Sequence, residues 1–104
     1  MALTRSFKDT VKARVARDPA FKQALLTEGV AALLEGDVET GKAVLRDYIN
    51  ATVGFTALSA ATGAPAKSLM RMFGPGGNPT ASNLFAVIRC LQQESGVTLE
   101  IRAA

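Results

Sequence analysis

Apolar residues recur along this chain at helical spacing almost to its end. Phe7, Val11 and Val15 stand at i, i+4 and i+8, which predicts a helix from Thr4 to Arg17. Asp18-Pro19 then restarts the chain, because an aspartate cap followed by proline at the first helical position is a strong helix start. The second helix is expected to run to about Leu34 and to bury Phe21, Leu25, Leu33 and Leu34. Gly29 interrupts it at a point where a neighbour can pack closely. Gly36 ends this helix and Asp37 caps a third, in which Val38, Leu45, Tyr48 and Ile49, with Val53 beyond, keep helical spacing. Tyr48 is expected to be a core aromatic with its hydroxyl at the surface. Gly54 marks the next break.

The stretch from Gly54 to Leu91 organises the rest. It predicts two short helices joined by a tight glycine turn, then a glycine-rich loop and a longer amphipathic helix. A helix that must be crossed closely by its successor asks for a small residue partway along, a glycine four residues later and a buried apolar residue six beyond that. Ser59, Gly63 and Leu69 meet those demands. Gly63 suits the reversal because a positive φ carries little steric cost without a Cβ. If Leu69 and Met72 face the core, Lys67, Ser68 and Arg71 face outward. A short helix with such a face is suited to enter a major groove. Gly74-Pro75-Gly76-Gly77-Asn78-Pro79 cannot continue a helix, and Thr80 is a good cap for the next one. Leu84, Val87, Ile88 and Leu91 then form a one-sided stripe that can close a small core.

The tail breaks the pattern. Gly96-Val97-Thr98-Leu99-Glu100-Ile101-Arg102 alternates apolar and polar residues, the periodicity of a strand. A lone strand in an all-α domain has no partner in its own chain, so Val97, Leu99 and Ile101 are expected to pair with a second subunit or with another protein. The fold class predicted is therefore all-α, a small helical bundle with a helix-turn-helix and a short C-terminal β-strand. It forms a single domain over 1–104, with a basic helix or arm at 1–17, supporting helices at 18–53, the helix-turn-helix core at 54–94 and the strand tail at 97–102.

The residues Leu58-Ser59, Thr62-Gly63, Ser68-Leu69 and Met72, followed by Gly77-Asn78-Pro79-Thr80, Leu84, Val87 and Leu91, resemble the Xre/Cro-type helix-turn-helix, which implies a lambda-repressor-like form for this unit. More narrowly the chain is similar to the HigA-like addiction module antidote family of antitoxins. There a Leu-Glu-Gly-Asp segment, here Leu34-Glu35-Gly36-Asp37, precedes the DNA-binding unit, and a Gly-Asn-Pro-Thr loop follows the recognition helix. The resemblance spans roughly residues 21–102. It implies a repressor that binds operator DNA as a homodimer and serves as the antitoxin of a type II toxin–antitoxin pair, with a RelE/HigB-like toxin as partner. It places the base-reading positions on Ala66, Lys67 and Ser68, with Arg71 one turn later. Thr56, at the start of the preceding helix, and Asn78, in the loop, are placed to hydrogen-bond the DNA backbone. Two positions depart from the family: Pro65 stands where a capping Ser or Thr is frequent, and Met70 replaces a polar or aromatic residue. A stand-alone Xre-type regulator and a toxin-binding module without DNA binding stay open as alternatives.

Composition narrows the chemistry. The chain contains no histidine, which removes Ser-His-Asp and Cys-His catalysis and the usual zinc ligand sets. Glu35, Asp37 and Glu39 are close in sequence but lie at a helix start, where acidic residues favour the dipole. The expectation is a protein that is not an enzyme and uses no metal or cofactor. Net charge is +3, which permits nucleic-acid binding without requiring it, since basic residues act through their placement. Residues 1–34 carry six basic and three acidic side chains, whereas 35–53 carry two and four, and 54–104 four and two. The basic face of the first helix is read as solvated, with contact to phosphates or a partner as the sharper reading. The single cysteine, Cys90, is expected to be a small, partly buried thiol. No window holds the roughly eighteen apolar residues of a membrane span, and the amino terminus shows no apolar signal core, so a cytoplasmic location is expected.

Overall fold

In the computed structural model the backbone is described from Ala2 to Ala104 and side chains from Lys8 onward. Six helices follow in order: α1 (Ala2–Arg17), α2 (Pro19–Leu34), α3 (Val38–Ala51), α4 (Phe55–Thr62), α5 (Ala66–Met72) and α6 (Ala81–Ser95). The expected roles of Arg5 and Phe7 lie outside the described side chains. Val15, further along the same stripe, is buried.

Local signals set the helix starts. Asp18 accepts the Phe21 N–H at 3.1 Å and Arg14 Nε at 3.1 Å, so α2 begins with a satisfied donor and a tether to α1. Both bonds hold its carboxyl below the ordinary aspartate range, the one from the Phe21 N–H most of all. Arg14 also lies over the Phe21 ring at 4.6 Å, so this cation belongs to the α1–α2 joint. Asp37 caps α3 through the Thr40 N–H at 3.3 Å, and Thr80 caps α6 through the Asn83 N–H at 3.2 Å.

α2 packs along α3, and the approach is close at Gly29, where an added Cβ would meet the Leu45 side chain at 2.9 Å. Leu26, Leu45, Tyr48 and Ile49 from this pair join Phe55, Leu58, Leu69, Phe73, Val87, Ile88, Cys90 and Leu91 in one core. Helices α2 and α3 thus share a single interior with α4, α5 and α6.

Three expectations need correction. Leu34, expected to be buried, is 62% exposed. It is the last residue of α2, and Val38, the first residue of α3 across the 35–37 turn, is 43% exposed as well. The Tyr48 hydroxyl is not at the surface: the side chain is fully buried and shares a hydrogen bond with Ser95 Oγ of α6. Burial, only partly opposed by that bond, pushes its pKa above the ordinary value. The third correction is the tail: the described residues contain no strand, and residues 97–102 have no regular secondary structure. Val97 and Leu99 pack on the core, the Leu99 N–H donates to Gln92 Oε1 at 2.8 Å and the Val97 N–H to Gln92 O at 3.2 Å. The alternation is real, but its inner side is met by α6 rather than by another strand. Ile101, beyond those contacts, is 79% exposed.

Candidate nucleic-acid interface

α4 and α5 are joined at Gly63, which takes the left-handed conformation at φ 82° and donates its N–H to Ser59 O at 2.9 Å. The turn is held by side chains as well. Ser59 Oγ donates to Ala64 O at 2.5 Å, and Thr62 Oγ1 donates to Leu58 O at 2.9 Å. Ser59 therefore does more than stay small, a role that its spacing alone does not reveal. Pro65 occupies the cap position of α5 at φ −59° and ψ 141° and supplies no capping oxygen. Its fixed φ nevertheless sets the entry into the helix.

The two helices are pinned from inside. Leu69 of α5 and Phe73, the residue that caps its C-terminal end, are buried, Met72 packs against the core they belong to, and the Phe73 ring meets Phe55 at the start of α4 with centroids 6.4 Å apart. This anchoring leaves Lys67, Ser68, Met70 and Arg71 exposed on the other side of α5. Thr56 on α4 and Asn78 in the loop are exposed too, whereas Ala66 is half-buried at the edge of the face. Ser68, Arg71 and Asn78 meet around a cleft of about 400 Å³ between α5, the loop and the start of α6. Thr56, Ala66 and Lys67 do not line it. Thr80 and Asn83 do, and Asn83 is a cleft residue that sequence reasoning missed, although its place in the first turn of a capped helix after the loop is legible.

Between Asp47 and Glu94 the sequence contains no acidic residue, and its cations there are Lys67, Arg71 and Arg89. One acid from outside that stretch reaches the loop: Glu39 of α3, which pairs with Lys42 beside the Gly74 and Gly77 carbonyls. Met70, next to Arg71, is apolar and 54% exposed.

The loop after α5 is tied down by a residue the sequence did not single out. Lys42 of α3 is 1% exposed, and its ammonium donates to Gly74 O at 3.1 Å and Gly77 O at 2.7 Å while pairing with Glu39 Oε2 at 2.9 Å. One helical turn on, Arg46 donates to Phe73 O at 3.2 Å. Lysine in an otherwise amphipathic helix reads as a solvated residue, and nothing nearby in sequence betrays partners more than thirty positions away.

Among the described residues no group of three or more His, Cys, Asp or Glu side chains could hold a metal ion, and no helix is long and apolar enough to cross a membrane. Cys90 is buried, and burial, with the nearby Glu94 charge adding to it, raises its thiol pKa. Comparison with protein-family models, with curated proteins and with solved structures returns no match to this chain.

Proposed function

We propose that this protein is a sequence-specific DNA-binding repressor whose recognition helix is α5. The observation that carries the reading is the sidedness of that helix: Leu69, with Phe73 at its C-terminal cap, is buried on one side, and Lys67, Ser68 and Arg71 are exposed on the other. The two cations on the exposed side, Lys67 and Arg71, support the reading, since α5 itself carries no acidic residue to oppose phosphate. Arg71 is assigned to guanine O6 and N7, Lys67 to a phosphate, and Ser68 and Asn78 to the cleft edge that borders the DNA backbone. Ala66 and Met70 supply apolar contact to thymine methyl groups. As a dimer the protein would set two such helices about 34 Å apart on successive major grooves. The antitoxin role, with a RelE/HigB-like toxin as second partner, rests on the resemblance of the Gly77-Asn78-Pro79-Thr80 loop and its surroundings to the addiction module antidote family.

A gel-shift series with the DNA upstream of the coding region, at rising salt, tests the reading. Arg71→Ala is expected to lose about 1–3 kcal/mol of discrimination between the operator and a mismatched duplex. Lys67→Ala is expected to weaken binding to every duplex alike and to reduce the salt slope by about 1. If both variants bind as the wild-type chain does, α5 is not the reading helix. A neighbouring reading frame for a small basic toxin, and its co-purification with this chain, separates antitoxin from stand-alone regulator.

A further inference from the structure

We propose that Lys42, assisted by Arg46, is the positioning residue of the recognition helix, holding the α5–α6 loop by its carbonyls and so fixing the angle at which Lys67 and Arg71 meet DNA. The inference rests on the DNA-binding reading of α5 and adds to it a device lying outside the contact face.

α5 has seven residues, too few to persist by local hydrogen bonds alone. Its C-terminal end and the loop that follows present carbonyls that the helix itself cannot satisfy. Three of them, on Phe73, Gly74 and Gly77, are met by cations reaching across from α3, Arg46 taking the first and Lys42 the other two. The ammonium has three N–H donors, and Gly74 O, Gly77 O and Glu39 Oε2 account for all of them. A buried cation is costly unless its donors are met, and one so fully met is specific to a single loop conformation. Filling that space would need only a methionine; holding two carbonyls needs the charge. The same loop runs through Asn78 and Pro79 to the Thr80 cap of α6, so a single side chain registers α3, α5 and the start of α6 against one another.

Lys42→Met tests this in the full chain with three readouts. Helix content by circular dichroism checks that the variant folds. Hydrogen exchange is expected to quicken at the Phe73, Gly74 and Gly77 amides while those of Ile49, Leu58 and Leu91 keep wild-type protection. Operator affinity is expected to fall about ten-fold, as when a competent geometry is populated one time in ten. The salt slope should not change, because Lys42 touches no phosphate. Unchanged exchange at the loop amides overturns the clamp. A loosened loop with undiminished operator affinity overturns its positioning role, and so does a salt slope reduced by one, which would make Lys42 a contact residue. Should Lys42→Met not fold, Arg46→Met, which removes only the Phe73 carbonyl bond, must give the same changes at smaller size, and its failure to do so overturns the proposal. If the wild-type chain binds no duplex at any salt, the DNA reading falls by itself, and the exchange arm still decides whether Lys42 holds the loop.

Discussion

Gly77→Ala will destabilise the protein by about 3 kcal/mol or more, combining an overpacking cost with lost buried hydrogen bonds. A Cβ at this position would lie 2.2 Å from Arg71 O and 2.7 Å from Met72 O, distances that real Cβ atoms do not show. Both atoms are backbone, so no side-chain rotation relieves the contact. The loop must move away from the end of α5, and the movement breaks the Lys42 bond to Gly77 O at 2.7 Å and the Gly77 N–H bond to Gly74 O at 3.1 Å. For a domain of this length the loss corresponds to a Tm lowered by roughly 12 °C or more. Thermal unfolding followed by circular dichroism checks it. Gly74→Ala is the matched comparison, since its added carbon would stand 3.3 Å from Met70 O and needs a shift of only a few tenths of an ångström. Equal Tm values for the two variants would contradict the account of the loop.

Phe73→Ala should cost about 3–5 kcal/mol, the usual range for removing a core phenylalanine. Its side chain is 1% exposed and faces Phe55 across the α4–α5 joint at 55° between ring planes. The loss takes a large share of the 5–15 kcal/mol that holds a typical domain together. Urea unfolding measures it, and Phe85→Ala is the comparison. Phe85 is 62% exposed on α6, so its truncation is expected to stay within about 0.5 kcal/mol. Because Phe73 anchors the inner face of α5, its removal should also weaken operator binding under conditions where the variant is still folded. A Phe73→Ala protein as stable as Phe85→Ala would mean that the joint is not packed as described.

Much of this architecture can be read from neighbours in the chain. Asp18-Pro19, Asp37 and Thr80 announce helix starts because the cap and the amide it meets are three residues apart, and Gly63 announces its turn because φ > 0 is a property of one residue. The exposed face of α5 follows from the burial of Leu69 and the helical repeat. Periodicity misleads where it reaches an end. Leu34 keeps the stripe but lies exposed at the last residue of α2, and Val97 and Leu99 keep a strand's alternation while packing on the core beside Gln92. Other features depend on residues brought together only by folding. Lys42 finds Gly74 and Gly77, and Tyr48 finds Ser95, across separations no local pattern encodes. Ser59 lies between the two cases: its partner Ala64 is five residues away, but the bond exists only once the turn has formed.

Amide chemical-shift mapping of the isotope-labelled chain during titration with the upstream duplex tests most directly whether the outer side of α5 is where DNA sits. Perturbations are expected to cluster at Thr56, at 66–71 and at Asn78 through Asn83, with α2 and the 35–37 turn unaffected. Shifts centred on the Leu34–Val38 corner or on α1, with α5 silent, would contradict it.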